Sequence, residues 1–153
     1  MIKDYIALEE IRYGEQMSLT VDIGENHSDK MIAPLLLIPF VENSFKHGAS
    51  KMLTHPYVEL CITIENNILH FFIINNRPEI QETAKASLSK KQGQIGLKNA
   101  RKRLELLYPG THQLNIVSKP ESFTVDLKIE LKEMTVINKE NNKPEQTSAY
   151  AMV

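Results

Sequence analysis

Apolar residues fall along the chain in two rhythms. Over residues 2 to 13, Ile2, Tyr5, Ile6, Leu8 and Ile11 recur with charges between them, the spacing of a helix. Gly14 is placed to close it. Met17, Leu19, Val21 and Ile23 then alternate with polar residues, which predicts a strand with one buried face. Residues 24–30 are polar and read as a turn. An apolar run follows, entered through Pro34 and Pro39, and proline is accommodated in a first helical turn but not deep inside one. The spacing therefore predicts a tight turn from Pro34, then regular helix from Pro39 to His47, stopped by Gly48.

Alternation returns at Val58, Leu60, Ile62 and Ile64. Glu65-Asn66-Asn67 supplies a tight turn, because Asn tolerates positive φ, and residues 68–74 form the returning strand of a hairpin. From Glu79 to Gln94 neither rhythm is present, and this Ser-, Lys- and Gln-rich stretch is longer than an ordinary connection, so it reads as a lid-like loop. Regular structure resumes at Ile95. Leu97, Ala100, Leu104 and Leu107 mark one helix face, ended by Pro109-Gly110. Leu114 and Ile116 give a short strand, residues 119–122 a turn, and Phe123, Val125, Leu127, Ile129 and Leu131 a last strand. Residues 133–153 are polar and aperiodic and read as a flexible tail. Hairpins dominate this order, so the expected fold is α+β: a two-layer sandwich with a mixed, mostly antiparallel sheet and helices on one face.

Composition narrows the picture. The chain has 153 residues, 42% of them hydrophobic and 24% charged, which suits one globular domain. A net charge of −1 gives no basic field for nucleic acid. The single cysteine, Cys61, excludes an intramolecular disulfide and reads as a structural thiol. The longest apolar run, residues 32–41, is half of the roughly 20 residues a membrane-spanning helix needs, and both prolines interrupt it. No signal peptide precedes it. The chain is expected to be cytoplasmic.

Three stretches carry candidate chemistry. The first is the helix expected from Pro39 to His47, where Glu42, Asn43, Lys46 and His47 share an arc of about 140°, with Leu37, Ile38, Val41 and Phe45 opposite. By spacing alone this is also what a solvated amphipathic helix shows. The second stretch is the strand end at Asn75-Asn76. The third is Gly93-Gln94-Ile95-Gly96-Leu97 at an expected helix N-terminus, where glycine lets backbone N–H groups approach a phosphate. The cluster Lys98, Arg101, Lys102 and Arg103 reads as the solvated side of that helix.

The string Pro-Leu-Leu-Leu-Ile-Pro-Phe-Val-Glu-Asn-Ser-Phe-Lys-His-Gly at 34–48 resembles the N-box of LytS/YehU-type sensor histidine kinases, whose ATP-binding domains have the Bergerat fold. Residues 5–13 resemble the helix that follows the phosphoacceptor region in that family, and residues 95–104 its last glycine box and following helix. The similarity runs in order from about residue 5 to 131. It implies a division into the end of the upstream dimerisation helix region (1–14), a catalytic ATP-binding domain (15–132) and a tail (133–153).

The resemblance further implies MgATP as ligand and transfer of the γ-phosphoryl group to a histidine outside this chain. Asn43 would coordinate Mg²⁺. Glu42 would be the base or a water-orienting carboxylate beside it. Lys46 and His47 would contact phosphate or ribose, residues 79–94 would be the ATP lid, and Gly93, Gly96 and Leu97 would lie against the nucleotide. Implied partners are a phosphoacceptor-His dimerisation region of the same polypeptide or of a partner protomer, a response regulator, and a second copy in a homodimer. The chain departs from the family at the adenine end. Asn75 stands where the family has the Asp of its Asp-x-Gly box, Arg77 stands for that glycine, and Gln94 for the first glycine of Gly-Ile-Gly. These departures favour an alternative, a non-catalytic nucleotide-binding or protein-interaction module of the same fold; a stand-alone serine kinase on the same fold is a third reading, disfavoured by the resemblance of residues 5–13.

Overall fold

The computed structural model describes residues 1–24, 31–33, 35–47, 54–78, 84–132 and 151–152, and leaves undescribed the side chains of 31, 47, 84–94 and 151–152. Helix α1 is Ile2–Tyr13, closed by Gly14 at φ 54°, and a 3₁₀ turn, Gly14–Gln16, follows. Then come β1 (Ser18–Ile23), β2 (Met31–Ile32), α2 (Ile38–His47), β3 (Tyr57–Glu65), β4 (Ile68–Asn76), α3 (Ala84–Leu107), β5 (His112–Ser118), β6 (Ser122–Glu130) and β7 (Ala151–Met152).

The main sheet has the order β1-β3-β4-β6-β5. Only β1 and β3 run parallel, with α2 in the chain between them, and the other pairs are antiparallel. At the β3–β4 turn Asn66 and Asn67 both take positive φ, 49° and 65°, while Glu65 pairs with Ile68. That is the two-residue hairpin whose backbone twist matches the strands, and Asn bears it at low steric cost.

Period-two burial fixes which face is inside. Val58, Leu60 and Ile62 of β3, Leu69, Phe71 and Ile73 of β4, and Val125, Leu127 and Ile129 of β6 are all buried. Register aligns them in rows, such as Ile62–Phe71–Leu127. Onto this face pack Ile6 of α1, Phe40, Val41 and Phe45 of α2, and Ala100 and Leu104 of α3. The Phe40 and Phe71 rings meet with centroids 6.0 Å apart. Each such fully buried large side chain contributes about 1.5–3 kcal/mol. The opposite face carries half-buried Cys61, Phe72, His70 and Asp126, with His70 Nε2 2.8 Å from Asp126 Oδ1. The result is the two-layer sandwich that the alternation predicts.

One expectation fails. Residues 84–94 are not a loop, because α3 is continuous from Ala84 to Leu107. That stretch has no apolar periodicity in its sequence, but Ala84, Lys85, Ala86, Leu88, Lys90, Lys91 and Gln92 are strong helix formers, and no proline interrupts them. The one glycine within it, Gly93, is a tolerable penalty in a helix of this length. Of the lid as expected, residues 79–83 lie outside the described residues. So do Pro34, Gly48, the turn at 25–30 and most of the tail, 133–150. The tail's end returns as β7, pairing antiparallel with β2 through Met31–Met152 and Ile32–Ala151.

The approach to α2 is held from far along the chain. The Ala33 N–H donates to the Tyr108 hydroxyl, 2.9 Å away and buried, and Leu35 then turns at φ 59°. Tyr108→Phe keeps the ring and strands that buried N–H, so the chain is expected to lose about 1–2 kcal/mol of stability. In urea unfolding the midpoint should fall with an unchanged slope. An unchanged midpoint would show that the bond contributes nothing.

Candidate functional site

Helix α2 divides as its sequence requires. Phe40, Val41, Ser44 and Phe45 are buried, with the Ser44 hydroxyl donating to the Phe40 carbonyl at 3.2 Å. Glu42 and Asn43 are half-buried at the edge, and Lys46 is exposed. Lys46 and Glu42, one turn apart, form an ion pair. The expected base and the expected phosphate contact therefore hold each other in this structure. Such a pair on a helix surface contributes only about 0.3–0.5 kcal/mol, little enough for an incoming phosphate to outcompete. His47 is the last residue of α2, and its side chain lies outside the description.

Three successive residues at the end of β4 have three separate tasks. Asn76 clamps the start of β3: its Oδ1 accepts from the Tyr57 N–H at 2.8 Å, and its Nδ2 donates to the His55 carbonyl at 2.9 Å. Arg77 staples the β5–β6 turn. Its guanidinium donates to the Lys119 and Pro120 carbonyls, and its N–H donates to the Glu121 carbonyl at 3.0 Å. Arg77 thus fixes this corner. Asn75 points inward, 1% exposed, on the face of β4 over which α2 packs. Its Nδ2 donates to the Asn76 carbonyl at 2.9 Å, which sets the amide's orientation. Its Oδ1 is buried and has no hydrogen-bond partner among the described residues. A buried acceptor left unpaired costs about 1–3 kcal/mol, so it calls for a donor from elsewhere.

The third stretch is not where the spacing predicts. Gly93, Gly96 and Leu97 lie within α3 and not at a helix N-terminus, so the backbone N–H groups there are part of a helix and present no anion site. Leu97 packs partly buried against the core. An added Cβ at Gly96 would meet nothing within 4 Å, so the helix itself has no need of glycine there.

The structure thus brings Glu42, Asn43 and Lys46 together on one edge of α2 and sets Asn75 on the sheet face beneath that helix. It does not open α3 beside them. Sequence reasoning missed Asn76 and Arg77 as structural clamps, and also Tyr108, whose partner lies far along the chain and leaves no local signal. Among the described residues there is no cluster of three or more His, Cys, Asp or Glu that could cage a metal. No helix among them is long and apolar enough to cross a membrane.

No family model matches the chain. Individual proteins do. Protein YwpD of Bacillus subtilis (strain 168) is 30% identical over 151 residues, 96% of this chain and 53% of that protein. The sensor protein LytS of Staphylococcus epidermidis (strain ATCC 35984) is 25% identical over 134 residues, 84% of this chain and 23% of LytS. The chain is related to the LytS-type sensor histidine kinases. It spans about half the length of YwpD and about a quarter of LytS. In fold it resembles the catalytic domain of histidine kinase ThkA in a nucleotide-free form, with a TM-score of 0.55 at 14% identity, covering 84% of this chain and 87% of that one. This domain, related to LytS, thus carries at Asn75 a buried amide oxygen with no hydrogen-bond partner among the described residues.

Proposed function

We propose that this chain binds MgATP between α2 and the sheet and passes the γ-phosphoryl group to a histidine of a dimerisation region, on the same polypeptide or a partner protomer. The single observation that carries the reading is the orphaned Asn75 Oδ1. Adenine's exocyclic amine is a donor of the kind this acceptor lacks, and a 6-oxo purine such as guanine would present another acceptor instead. Asn43 fits Mg²⁺, since an amide oxygen and the nucleotide's phosphates together suit this ion better than an all-protein cage. When bound, Mg²⁺ neutralises charge on the phosphates. Lys46 would leave Glu42 for a phosphate oxygen and so free the carboxylate.

In the transfer the imidazole nitrogen of the acceptor attacks the γ-phosphorus, the bond to the β–γ bridging oxygen breaks, and ADP leaves. The attacking nitrogen is the one without a proton; the proton on the other ring nitrogen, made acidic as the N–P bond forms, is lost to a base, the role given to Glu42. Most of the rate in such transfers comes from positioning and charge stabilisation. For Gly93, Gly96 and Leu97 to reach the nucleotide, α3 has to open ahead of Ile95. A cytoplasmic site, where ATP is available, and a downstream response regulator belong to the same proposal.

The continuous α3 favours a second reading, a module of this fold that binds no nucleotide and acts through protein contacts. Calorimetric titration separates the two. Wild-type chain is expected to bind MgATP saturably and MgGTP much more weakly. Asn75→Ala should lose about tenfold in MgATP affinity, the worth of one hydrogen bond to a buried group, and narrow the preference over MgGTP. Asn75→Asp should bind MgATP more tightly through a charge-assisted bond. Absence of saturable binding at roughly millimolar nucleotide, the upper end of ordinary substrate constants, leaves the non-catalytic module standing.

A further inference from the structure

Charge is spread unevenly over this chain. Helix α3 holds seven of its 18 Lys and Arg and one of its 19 Asp and Glu, in a molecule whose net charge is −1. The carboxylates gather elsewhere. Alternation along β3 and β6, and the pairing of Asp22 with Cys61, put Asp22, Glu59, Glu65, Asp126 and Glu130 on the face of the sheet turned away from the helices, with Lys128 among them. One side of the sandwich is therefore acidic, and the other carries a basic helix.

Helical spacing separates the two sides of α3. Leu97, Ala100 and Leu104 lie within about 60° of one another and pack on the core. Ile95, Lys98, Lys102 and Leu106 lie within about 80° on the side diametrically opposite. All four are exposed, Ile95 by 58% and Leu106 by 69%. Neither lysine forms an ion pair among the described residues. Ile95 and Leu106 are roughly 16 Å apart along the axis, with both lysines between them. Arg101 and Glu105 flank this stripe on one side and offset each other in charge.

Water solvates the two ammonium groups, but it does not reward aliphatic side chains set in line with them. A flat surface with anions above an apolar layer satisfies both. The ammonium groups meet the headgroups, the lysine stems lie along the boundary, and the aliphatic ends dip below it. Nucleic acid offers the charge without the apolar layer, and the stripe has no aromatic side chain on which a base could stack.

We propose that the outward stripe of α3 seats this domain on an anionic lipid surface, with Lys98 and Lys102 at the phosphates and Ile95 and Leu106 entering the headgroup layer. The acidic face of the sheet then turns away from the bilayer, so the charge distribution sets orientation as well as attachment. The inference does not depend on whether the chain binds MgATP.

The test is cosedimentation of the full 153-residue chain with vesicles in about 0.1 M salt, where surface charges act across about 10 Å. Phosphatidylcholine vesicles with about 30% phosphatidylglycerol should retain the chain at least about twentyfold better than phosphatidylcholine alone, since each cation near an anionic surface contributes about fivefold. Lys98→Gln and Lys102→Gln should each cost about fivefold, and glutamine keeps the helix propensity of lysine. The double variant Ile95→Gln, Leu106→Gln keeps every charge and should weaken retention about tenfold. Lys128→Gln removes the same charge from the opposite face and should change retention by less than about twofold. Equal retention on the two kinds of vesicle overturns the proposal, as does a loss with Lys128→Gln as large as with Lys102→Gln. Unchanged retention of the Ile95, Leu106 double variant overturns it too, because the stripe would then read charge alone, as a nucleic-acid site does.

Discussion

Asn43→Ala is expected to weaken MgATP binding about a hundredfold while leaving the fold intact. The side chain is half-buried at the polar edge of α2 and is not part of the core, which on this helix is carried by Phe40, Val41 and Phe45. Alanine is the best helix former, so stability should change by no more than about 0.5 kcal/mol. The loss should come from the metal. An oxygen ligand is removed from an ion that demands a near-complete octahedron, and even groups one shell further out commonly matter ten- to a hundredfold. Calorimetry with Mg²⁺ and with a chelator checks this directly. In chelator, wild type and variant should bind ATP alike. A variant that binds MgATP as wild type does would falsify the assignment of Asn43 as the metal ligand.

Gly96→Ala should have two effects of opposite sign. In the helix as it stands a Cβ at 96 meets nothing, and replacing an interior helical glycine by alanine stabilises by about 1 kcal/mol. Thermal unfolding should therefore rise by about 3 °C. MgATP affinity should fall by about a hundredfold, comparable to losing a backbone donor at a charged oxygen. The methyl group obstructs approach to the phosphates, and the firmer helix resists opening ahead of Ile95. A variant that is more stable and binds normally would show that α3 never opens there, and Gly96 would then have no part in the site.

Much of the architecture was legible because burial imposes its period on sequence. The alternation at Val58–Ile64 and Phe123–Leu131, the Asn66-Asn67 turn and the Gly14 cap each carry their own local chemistry. The parallel pairing of β1 with β3 was not legible, since nothing local to either strand names a partner across α2. The stretch 84–94 was not legible as helix because its sequence carries no apolar periodicity, leaving intrinsic propensity as the only signal. At the site, the arc of Glu42, Asn43 and Lys46 follows from helical spacing. Asn75 was marked by its place at a strand end and given a role by resemblance, and its unpaired oxygen only by the packing around it.

The amide at position 75 has one more consequence. A carboxylate in that place takes up a proton in acid, and the oxygen that gains it turns from acceptor to donor. An amide has no such proton to gain, and its orientation is set by the Asn76 carbonyl, which does not titrate either. The acceptor buried under α2 is therefore the same group at about pH 4 as at about pH 8.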